Sequence, residues 1–405
     1  MSRETVKCSV TQFPGSCAHL AGVKRAVNHL KMKRPKFARQ AIVQRIGARR
    51  TQLERVRRIN YLARKRAQSY ASPIRGPFDT KLRREVVPVP EILDLGQNRQ
   101  ATLAIARTCR ENCFLHRRST VLDFTHTKKI SSAAVLLLVA EIDRCRRLAG
   151  ESMLTGTYPK DKKLHGQMRD SGFFEALHVK AKLDGAEKKY PMEYIKVVSG
   201  DEADGRLARA LRLKLLGPYD VKVAQEAKSS FFRSLSEAMT NVSQHAYPED
   251  TLHRKIRVVP KGWWMLGHIN KLRSELKVMI VDQGIGIPRS LPRKHTLEVI
   301  NDALSQLGVI KPTDGQMIKA AMEVGRSRMR QDNRGKGLND LKKLIQACGS
   351  GRLRILSNRG EYIYTEGGKE RLQAYDDSIY GTFIEWTVPL QAILPFLEDD
   401  RDEND

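Results

Sequence analysis

The chain has 405 residues, enough for two or three domains that each bury a core. Its hydrophobic content of 40% is ordinary, and it has neither an apolar run of about 18 residues that could span a bilayer nor the apolar stretch of a secretory signal. We therefore expect a cytoplasmic protein that makes no membrane contact.

The net charge of +28 is concentrated near the N-terminus. Between Lys24 and Arg84 there are 20 Lys and Arg residues against two acidic residues. Apolar residues recur there at helical spacing, so we predict a basic, mostly helical arm over residues 1–85. Residues 24–84 are a candidate contact for nucleic acid phosphates; a solvated basic surface that meets an acidic partner is the alternative. Residues 398–405 form an acidic tail.

The region 86–200 contains a predicted β-α-β unit with parallel strands. Ser131 or Ser132 caps its helix, and Gly150 ends it. The strand, helix and second strand are predicted at Val121–Phe124, Ala133–Arg147 and from Met153–Leu154 onward.

The segment FFRSLSEAMTNVSQHAYP predicts an amphipathic helix. On the opposite side to its apolar stripe, Glu237, Asn241 and His245 are spaced four residues apart. A carboxylate and an amide one turn apart can hold a Mg²⁺ ion and a water together, whereas we assign His245 to helix structure. The predicted apolar stripe consists of Phe232, Leu235, Met239, Val242 and Ala246.

In LKVMIVDQGIGIP, a mostly apolar strand, Leu276–Val281, leads to Asp282 and to the glycines Gly284 and Gly286. A carboxylate at a strand end can accept a hydrogen bond from an adenine amino group. The two glycines let the backbone pass close beneath a base. A D-x-G-x-G hairpin or a calcium-like loop is the alternative interpretation.

A third motif, DNRGKGLNDLKKLIQACG, places Gly335 and Gly337 before an amphipathic helix. A glycine-rich entry to a helix presents free N–H groups to phosphate, and Arg334 and Lys336 add positive charge there. The final motif, YGTFIEWTVPL, predicts a closing strand that begins at Thr382.

The succession E-x-x-x-N, D-x-G-x-G, G-x-G-L and G-T resembles the GHKL superfamily of gyrase, Hsp90-like, histidine-kinase and MutL-like ATPases. The box SEAMTNVSQHAY is most similar to that of the anti-sigma-factor serine kinases. The resemblance implies a C-terminal Bergerat α/β sandwich over residues 201–397 that binds ATP and Mg²⁺. The chain as a whole is then expected to be α+β.

The resemblance also implies a role for each matching residue. Glu237 is the general base, acting on a water or a protein hydroxyl, and Asn241 binds Mg²⁺. Asp282 binds the adenine, and Thr382 supports the base through a water. The residues that shape the pocket or meet phosphate are Gly284, Gly286, Arg334, Gly335, Lys336 and Gly337. A long lid, residues 287–334, separates the second and third motifs and carries several arginines.

The region 86–200 resembles the STAS fold of anti-sigma-factor antagonists, on the strength of its IS-S-A turn and a later MRDSGFFEALHV. Members of that branch are phosphorylated on a serine that corresponds to Ser132. Ile130 and Ala133 replace the aspartate and glycine of that motif, which favours a docking or dimerisation module.

Two functions follow from these resemblances. The first is a Mg-ATP-dependent switch that hydrolyses ATP slowly and acts with a protein or nucleic-acid partner in regulation or in stress or phage defence. The alternative is a serine/threonine protein kinase that acts on a STAS-like partner. The sequence leaves a homodimer open.

Overall fold

The computed structural model describes residues 84–150, 153–177, 192–217, 225–248, 261–305, 311–327 and 338–393. All of them belong to one compact unit, Lys81–Asp405. The predicted arm up to residue 83 and the acidic tail 398–405 lie outside the described residues. Among the helices that the structure describes, none is long and apolar enough to cross a membrane.

The described residues before 178 form a small α/β half. Its strands are β1 (Glu85–Pro88), β2 (Ile92–Leu93), β3 (Thr120–Asp123), β4 (Lys129–Ile130) and β5 (Leu154–Gly156). Its helices are α1 (Arg99–Glu111), α2 (Ser132–Ala149), α3 (Lys162–Asp170) and α4 (Phe173–Ala176), with a π-helical turn at Asn112–His116. The strands pair in parallel in the order β1-β3-β5, and β2 pairs with β4.

The predicted β-α-β unit is confirmed. The hydroxyl of Ser131 caps helix α2 by accepting a hydrogen bond from the Ala134 N–H at 3.3 Å, which satisfies a donor that the first helical turn leaves unpaired. Gly150 ends the helix with a φ of 108°. Strands β3 and β5 on either side of the helix are parallel neighbours, as predicted.

The remaining described residues form a larger antiparallel half. Its strands are β6 (Met192–Gly200), β7 (Trp263–Asn270), β8 (Glu275–Asp282), β9 (Arg352–Ser357), β10 (Gly360–Thr365), β11 (Glu370–Ala374) and β12 (Thr382–Pro389). Its helices are α5 (Gly205–Leu216), α6 (Gln225–Asn241), α7 (Ile287–Lys294), α8 (Leu297–Ser305), α9 (Asp314–Ser327), α10 (Lys343–Cys348) and α11 (Leu390–Ile393). A π-helical turn, Val242–Ala246, extends α6, and short 3₁₀ turns occur at Leu338–Lys342 and Glu366–Gly368.

The seven strands form one sheet in the order β11-β10-β9-β12-β8-β7-β6, with all neighbours antiparallel. The last strand in the chain, β12, is central and pairs with β8 and β9. Strand β6 falls in the sequence region 86–200, yet it pairs with β7 at the sheet edge. By hydrogen bonding the larger half therefore begins at Met192 rather than at residue 201.

Both faces of this sheet are buried. Successive side chains of a strand point to opposite faces, so each strand contributes to the packing on both sides. One face packs against α5, α6, α9 and α10 through residues such as Met265, Ile280 and Trp386. The other face packs against α2 of the α/β half through a second apolar cluster. The sheet's contributions to that second cluster are Trp264, Leu266, Met279, Val281, Leu356 and Phe383.

Helix α2 is buried almost all round because it lies between this sheet and its own parallel strands. Its run Ala133–Ile142 contains nine buried apolar residues and one buried carboxylate, Glu141. Burial of a large apolar side chain contributes about 1.5–3 kcal/mol, so the two halves share a core of substantial energy. Two regions that look separate in sequence are thus one packed structure.

The apolar stripe of helix α6 differs from the prediction at one position. Phe231 is 1% exposed and Phe232 is 37% exposed, so Phe231 is the core residue. The other predicted members of the stripe are buried. Adjacent residues differ by about 100° around a helix, so either phenylalanine could border the apolar stripe. In the structure Phe231 lies inside the buried surface of the helix and Phe232 lies outside it.

Candidate functional site

Helix α6 brings Glu237 and Asn241 into direct contact, as their spacing predicted. The Asn241 Nδ2 donates to the Glu237 carbonyl oxygen at 2.9 Å and to its Oε1 at 2.8 Å. Both side chains are half-buried. The amide oxygen of Asn241 takes no part in these two bonds. A carboxylate and a hard amide oxygen are therefore held side by side on the helix.

His245 lies one turn further on, within the π-helical turn. Burial, together with the nearby charge of Lys294, lowers the pKa of His245 to about 4. The imidazole is therefore neutral at neutral pH and is not poised for proton transfer there. This agrees with its assignment to structure.

The end of α6 is attached directly to the loop that follows strand β8. The Ala246 carbonyl accepts a hydrogen bond from the Ile285 N–H at 2.8 Å. The Tyr247 hydroxyl donates to the Gly262 carbonyl at 2.6 Å and accepts from the Gln283 N–H at 3.0 Å. The end of α6 is thereby joined to the loop after β8 by two hydrogen bonds, one from the Ile285 N–H and one from the Gln283 N–H.

Asp282 ends β8 as a buried carboxylate, with 5% of the residue exposed. Its Oδ1 accepts from the Gly284 N–H at 2.8 Å, and Thr382 bonds to it through both its N–H and its hydroxyl. Burial raises the pKa of Asp282 to about 7, because removing water disfavours the charged form. Among the described residues no Lys or Arg counters this shift, which is unusual for a buried carboxylate.

The glycines after Asp282 are required by close packing. A Cβ on Gly284 would lie 2.2 Å from the Ala246 carbonyl oxygen. Gly286 has a φ of +80°, and a Cβ there would lie 2.5 Å from the Asn358 Nδ2. Gly286 precedes helix α7 rather than a hairpin, and no cluster of three His, Cys, Asp or Glu residues suited to a metal occurs among the described residues. The hairpin and calcium-loop alternatives therefore find no support there.

Thr382 lies directly opposite Asp282 in the antiparallel pairing of β12 with β8. The preceding Gly381 packs so tightly that a Cβ would lie 2.0 Å from the Asp282 carbonyl oxygen. The sequence analysis expected Asp282 to bind the adenine and Thr382 to support it through a water, and the structure brings the two side chains into contact.

Two residues at the end of strand β9, which the sequence analysis missed, form hydrogen bonds with the loop after Asp282 and with Thr382. The Ser357 hydroxyl lies 3.1 Å from the Thr382 hydroxyl and accepts from the Ile287 N–H at 2.8 Å. The Asn358 Nδ2 donates to the Ile285 carbonyl at 2.9 Å. A hydroxyl and an amide directly after an apolar strand were the signal that could have identified them.

The third motif is described only from Leu338 onward. Leu341, Leu344 and Ile345 are buried, as the predicted amphipathic helix requires, and Asp340 holds its segment to α6 because its carbonyl accepts from the Ser234 hydroxyl at 3.0 Å. The candidates Arg334, Gly335, Lys336 and Gly337 lie outside the described residues. Of the predicted lid, helices α7, α8 and α9 are described.

Ser132 is the first residue of α2 and is 7% exposed. Its hydroxyl lies 3.4 Å from the hydroxyl of Tyr194 on strand β6. The serine that corresponds to the phosphorylated position is thus covered by the larger half of the protein.

The Glu237–Asn241 pair and the Asp282 loop lie at different positions along the axis of helix α6. Ala246, which contacts the Asp282 loop, follows Asn241 by five residues and Glu237 by nine, or roughly 7 and 13 Å along a helix axis. The arrangement has the buried Asp282 carboxylate at one end and the Glu237–Asn241 pair at the other. Mg²⁺ commonly takes one or two protein oxygens and fills its shell with water and phosphate, so Asn241 fits such an ion.

No protein-family model matches the chain. A search of curated proteins likewise found no significant match.

Proposed function

We propose that the larger half binds Mg-ATP in the manner of the GHKL superfamily and that the α/β half is a STAS-like module. In this proposal the antiparallel sheet with α6 and α10 on one face is a Bergerat sandwich. Asp282 accepts a hydrogen bond from the adenine amino group, with Thr382 beside it. Asn241 holds Mg²⁺ at the phosphates, and Glu237 is the general base.

The observation that carries the proposal is the environment of Asp282. A buried carboxylate without a cationic partner is costly, and such groups concentrate at functional sites. The Gly284 N–H donates to Asp282, and Gly284 packs directly against Ala246 at the end of α6. Helix α6 carries Glu237 and Asn241. A hydrogen-bond donor from a bound base would stabilise the ionised carboxylate of Asp282, which has no Lys or Arg partner in the part of the chain that the structure describes.

Glu237 suits a general base because Asn241 Nδ2 orients its carboxylate without neutralising it. A bound Mg²⁺ ion would supply charge stabilisation at the phosphates. Glu237 would take a proton from the attacking water or hydroxyl. We propose slow hydrolysis that resets a conformational switch, with a protein or nucleic-acid partner as the output and regulation or stress or phage defence as the setting.

A protein serine/threonine kinase acting on a STAS-like partner is the second candidate, favoured by the similarity of SEAMTNVSQHAY to the kinase box. Ser132 of this chain is 7% exposed and faces Tyr194. A kinase of this kind would therefore phosphorylate a separate molecule rather than its own Ser132.

A γ-phosphate transfer assay tests both versions. The protein is incubated with Mg-ATP labelled at the γ-phosphate, with and without a STAS-domain protein carrying an exposed serine at the corresponding turn. Label in inorganic phosphate supports the switch, and label on the added protein supports the kinase. If the wild-type protein neither binds nor turns over nucleotide, the proposal fails.

A further inference from the structure

Glu141 is a buried carboxylate at the centre of the contact between the two halves of the protein. It lies on α2 and is 1% exposed. Arg110 donates to it through both Nε and Nη2, the latter at 2.8 Å, and Arg144 donates at 2.5 Å. Burial by itself raises the pKa of Glu141, but the charges of Arg110 and Arg144 outweigh burial and hold the pKa below its usual value.

A further hydrogen bond of this carboxylate crosses to the candidate site. The Gln283 Nε2 donates to Glu141 Oε2 at 3.1 Å, and the two residues are 142 positions apart in the chain. Gln283 lies between Asp282 and Gly284 and is 7% exposed. Its backbone N–H is held by Tyr247. The residue next to the base-binding carboxylate is thus fixed at its backbone by α6 and at its side chain by α2.

Helix α1 of the α/β half holds the loop 375–381, which leads into Thr382. The Arg110 guanidinium lies 4.5 Å from the centre of the Tyr380 ring, and the Arg99 guanidinium lies 4.0 Å from that of Tyr375. Arg107 pairs with Asp377 at 2.7 Å. Both segments that contact the Asp282 carboxylate are therefore anchored on the α/β half.

We propose that Glu141 is a positioning residue: by holding Gln283 it fixes the Asp282 carboxylate, so that the α/β half sets the affinity for the nucleotide base. The inference rests on the proposed function and concerns the control of that same site. A partner that shifts α2 would then change ATP affinity without touching the nucleotide.

Gln283→Met tests the link, because it removes the amide donor, keeps a side chain of similar length and leaves Glu141 with both arginines. Binding of Mg-ATP and of Mg-tripolyphosphate is measured by calorimetry on the full chain, well below the melting temperature. Tripolyphosphate reports the phosphate end alone. We expect ATP to bind about tenfold more weakly, because a displaced Asp282 carboxylate would lose its hydrogen bond to the base, and tenfold is typical for one hydrogen bond to a charged group. Tripolyphosphate affinity should be unchanged.

Trp264→Phe is the matched control. Trp264 Nε1 donates to Asp143 Oδ2 at 2.9 Å, so its side chain also bridges the two halves, but this hydrogen bond does not involve the Asp282 loop. This variant should lower stability and leave both affinities unchanged. If Gln283→Met fails to fold, Gln283→Asn serves instead, because its shorter amide falls short of Glu141.

The outcomes separate the two proposals. Absence of ATP binding in the wild-type protein refutes the proposed function. Wild-type binding with an unchanged ATP affinity in the Gln283 variant refutes the positioning role. An equal loss of ATP and tripolyphosphate affinity also refutes it, since that pattern indicates general loosening of the fold.

Discussion

The raised pKa of Asp282 predicts that the unliganded protein loses stability as the pH rises from 3.8 to about 7. The folded protein keeps a proton on this carboxyl up to about pH 7, whereas the unfolded chain releases it near the ordinary value of 3.8. A group whose folded pKa is raised stabilises the fold fully below its unfolded pKa, and this contribution is lost as the pH passes its folded pKa.

The size of this effect follows from the two pKa values. A difference of roughly three pKa units corresponds to about 4 kcal/mol of unfolding free energy. For a folded unit of this size, 4 kcal/mol moves the melting temperature by about 6 °C. The cost falls on the unliganded protein, and a base amino group that donates to Asp282 would recover part of it.

Asp282→Asn separates the stability of the site from its function. The neutral amide resembles the protonated carboxyl, so we expect the unliganded variant to match the wild type near pH 3, below the unfolded pKa of 3.8, and to melt several degrees higher at pH 8. Mg-ATP should raise the melting temperature of the wild type but not of the variant, because the amide offers a donor where the base also offers one. Thermal unfolding of both proteins at both pH values, with and without Mg-ATP, measures these melting temperatures and the shifts that Mg-ATP causes.

Asp340→Asn is a control with the opposite expected sign. Asp340 is also buried, at 2% exposed, but its carboxylate is ion-paired with Lys343 at 2.8 Å. Its neutralisation should lower the melting temperature at pH 8. A less stable Asp282→Asn protein at pH 8, or a variant that retains the full Mg-ATP shift, would refute the reasoning about Asp282.

Further predictions concern the chemistry, the loop and the arm. Glu237→Gln should retain ATP binding by calorimetry and lose phosphate release; hydrolysis at the wild-type rate would remove Glu237 as the base. ATP affinity should fall as the pH drops below about 7, while tripolyphosphate affinity does not follow the same curve, because the ionised Asp282 is the stronger acceptor; parallel curves would contradict this. Gly284→Ala should cost more than about 2 kcal/mol in denaturant unfolding, since its Cβ meets the Ala246 carbonyl at 2.2 Å, whereas Gly217→Ala, with no atom within 4 Å, should be near neutral. Fluorescent duplex DNA titrated at two salt concentrations should bind more weakly at the higher one and not at all after deletion of residues 1–84; binding that survives the deletion would assign the contact to another part of the chain.

Local sequence patterns predicted much of the candidate site. The spacing of Glu237 and Asn241 indicates one helix face, because residues four apart are neighbours on any α-helix. The apolar run before Asp282 places a carboxylate at the end of a buried strand. The β-α-β unit around α2 was also predictable, since its cap, its apolar length and its terminal Gly150 are all local features.

Periodicity could not determine which of two adjacent residues is buried. It placed Phe232 in the core, whereas the packing of α6 against the sheet selects Phe231. It also left β6 with the preceding region, because an edge strand is assigned by the partner with which it forms hydrogen bonds, and that partner, β7, follows a gap of more than sixty residues.

What the sequence by itself determined is therefore the set of local elements and the chemical groups that they carry: Glu237, Asn241, Asp282 and Thr382 on a helix and two strands. Only the tertiary structure decided that the second face of the sheet is covered by α2, and that Glu141 reaches Gln283 across 142 residues. Local patterns arise from interactions between residues a few positions apart. Contacts between distant segments depend on how whole faces pack, and no single segment records its partner.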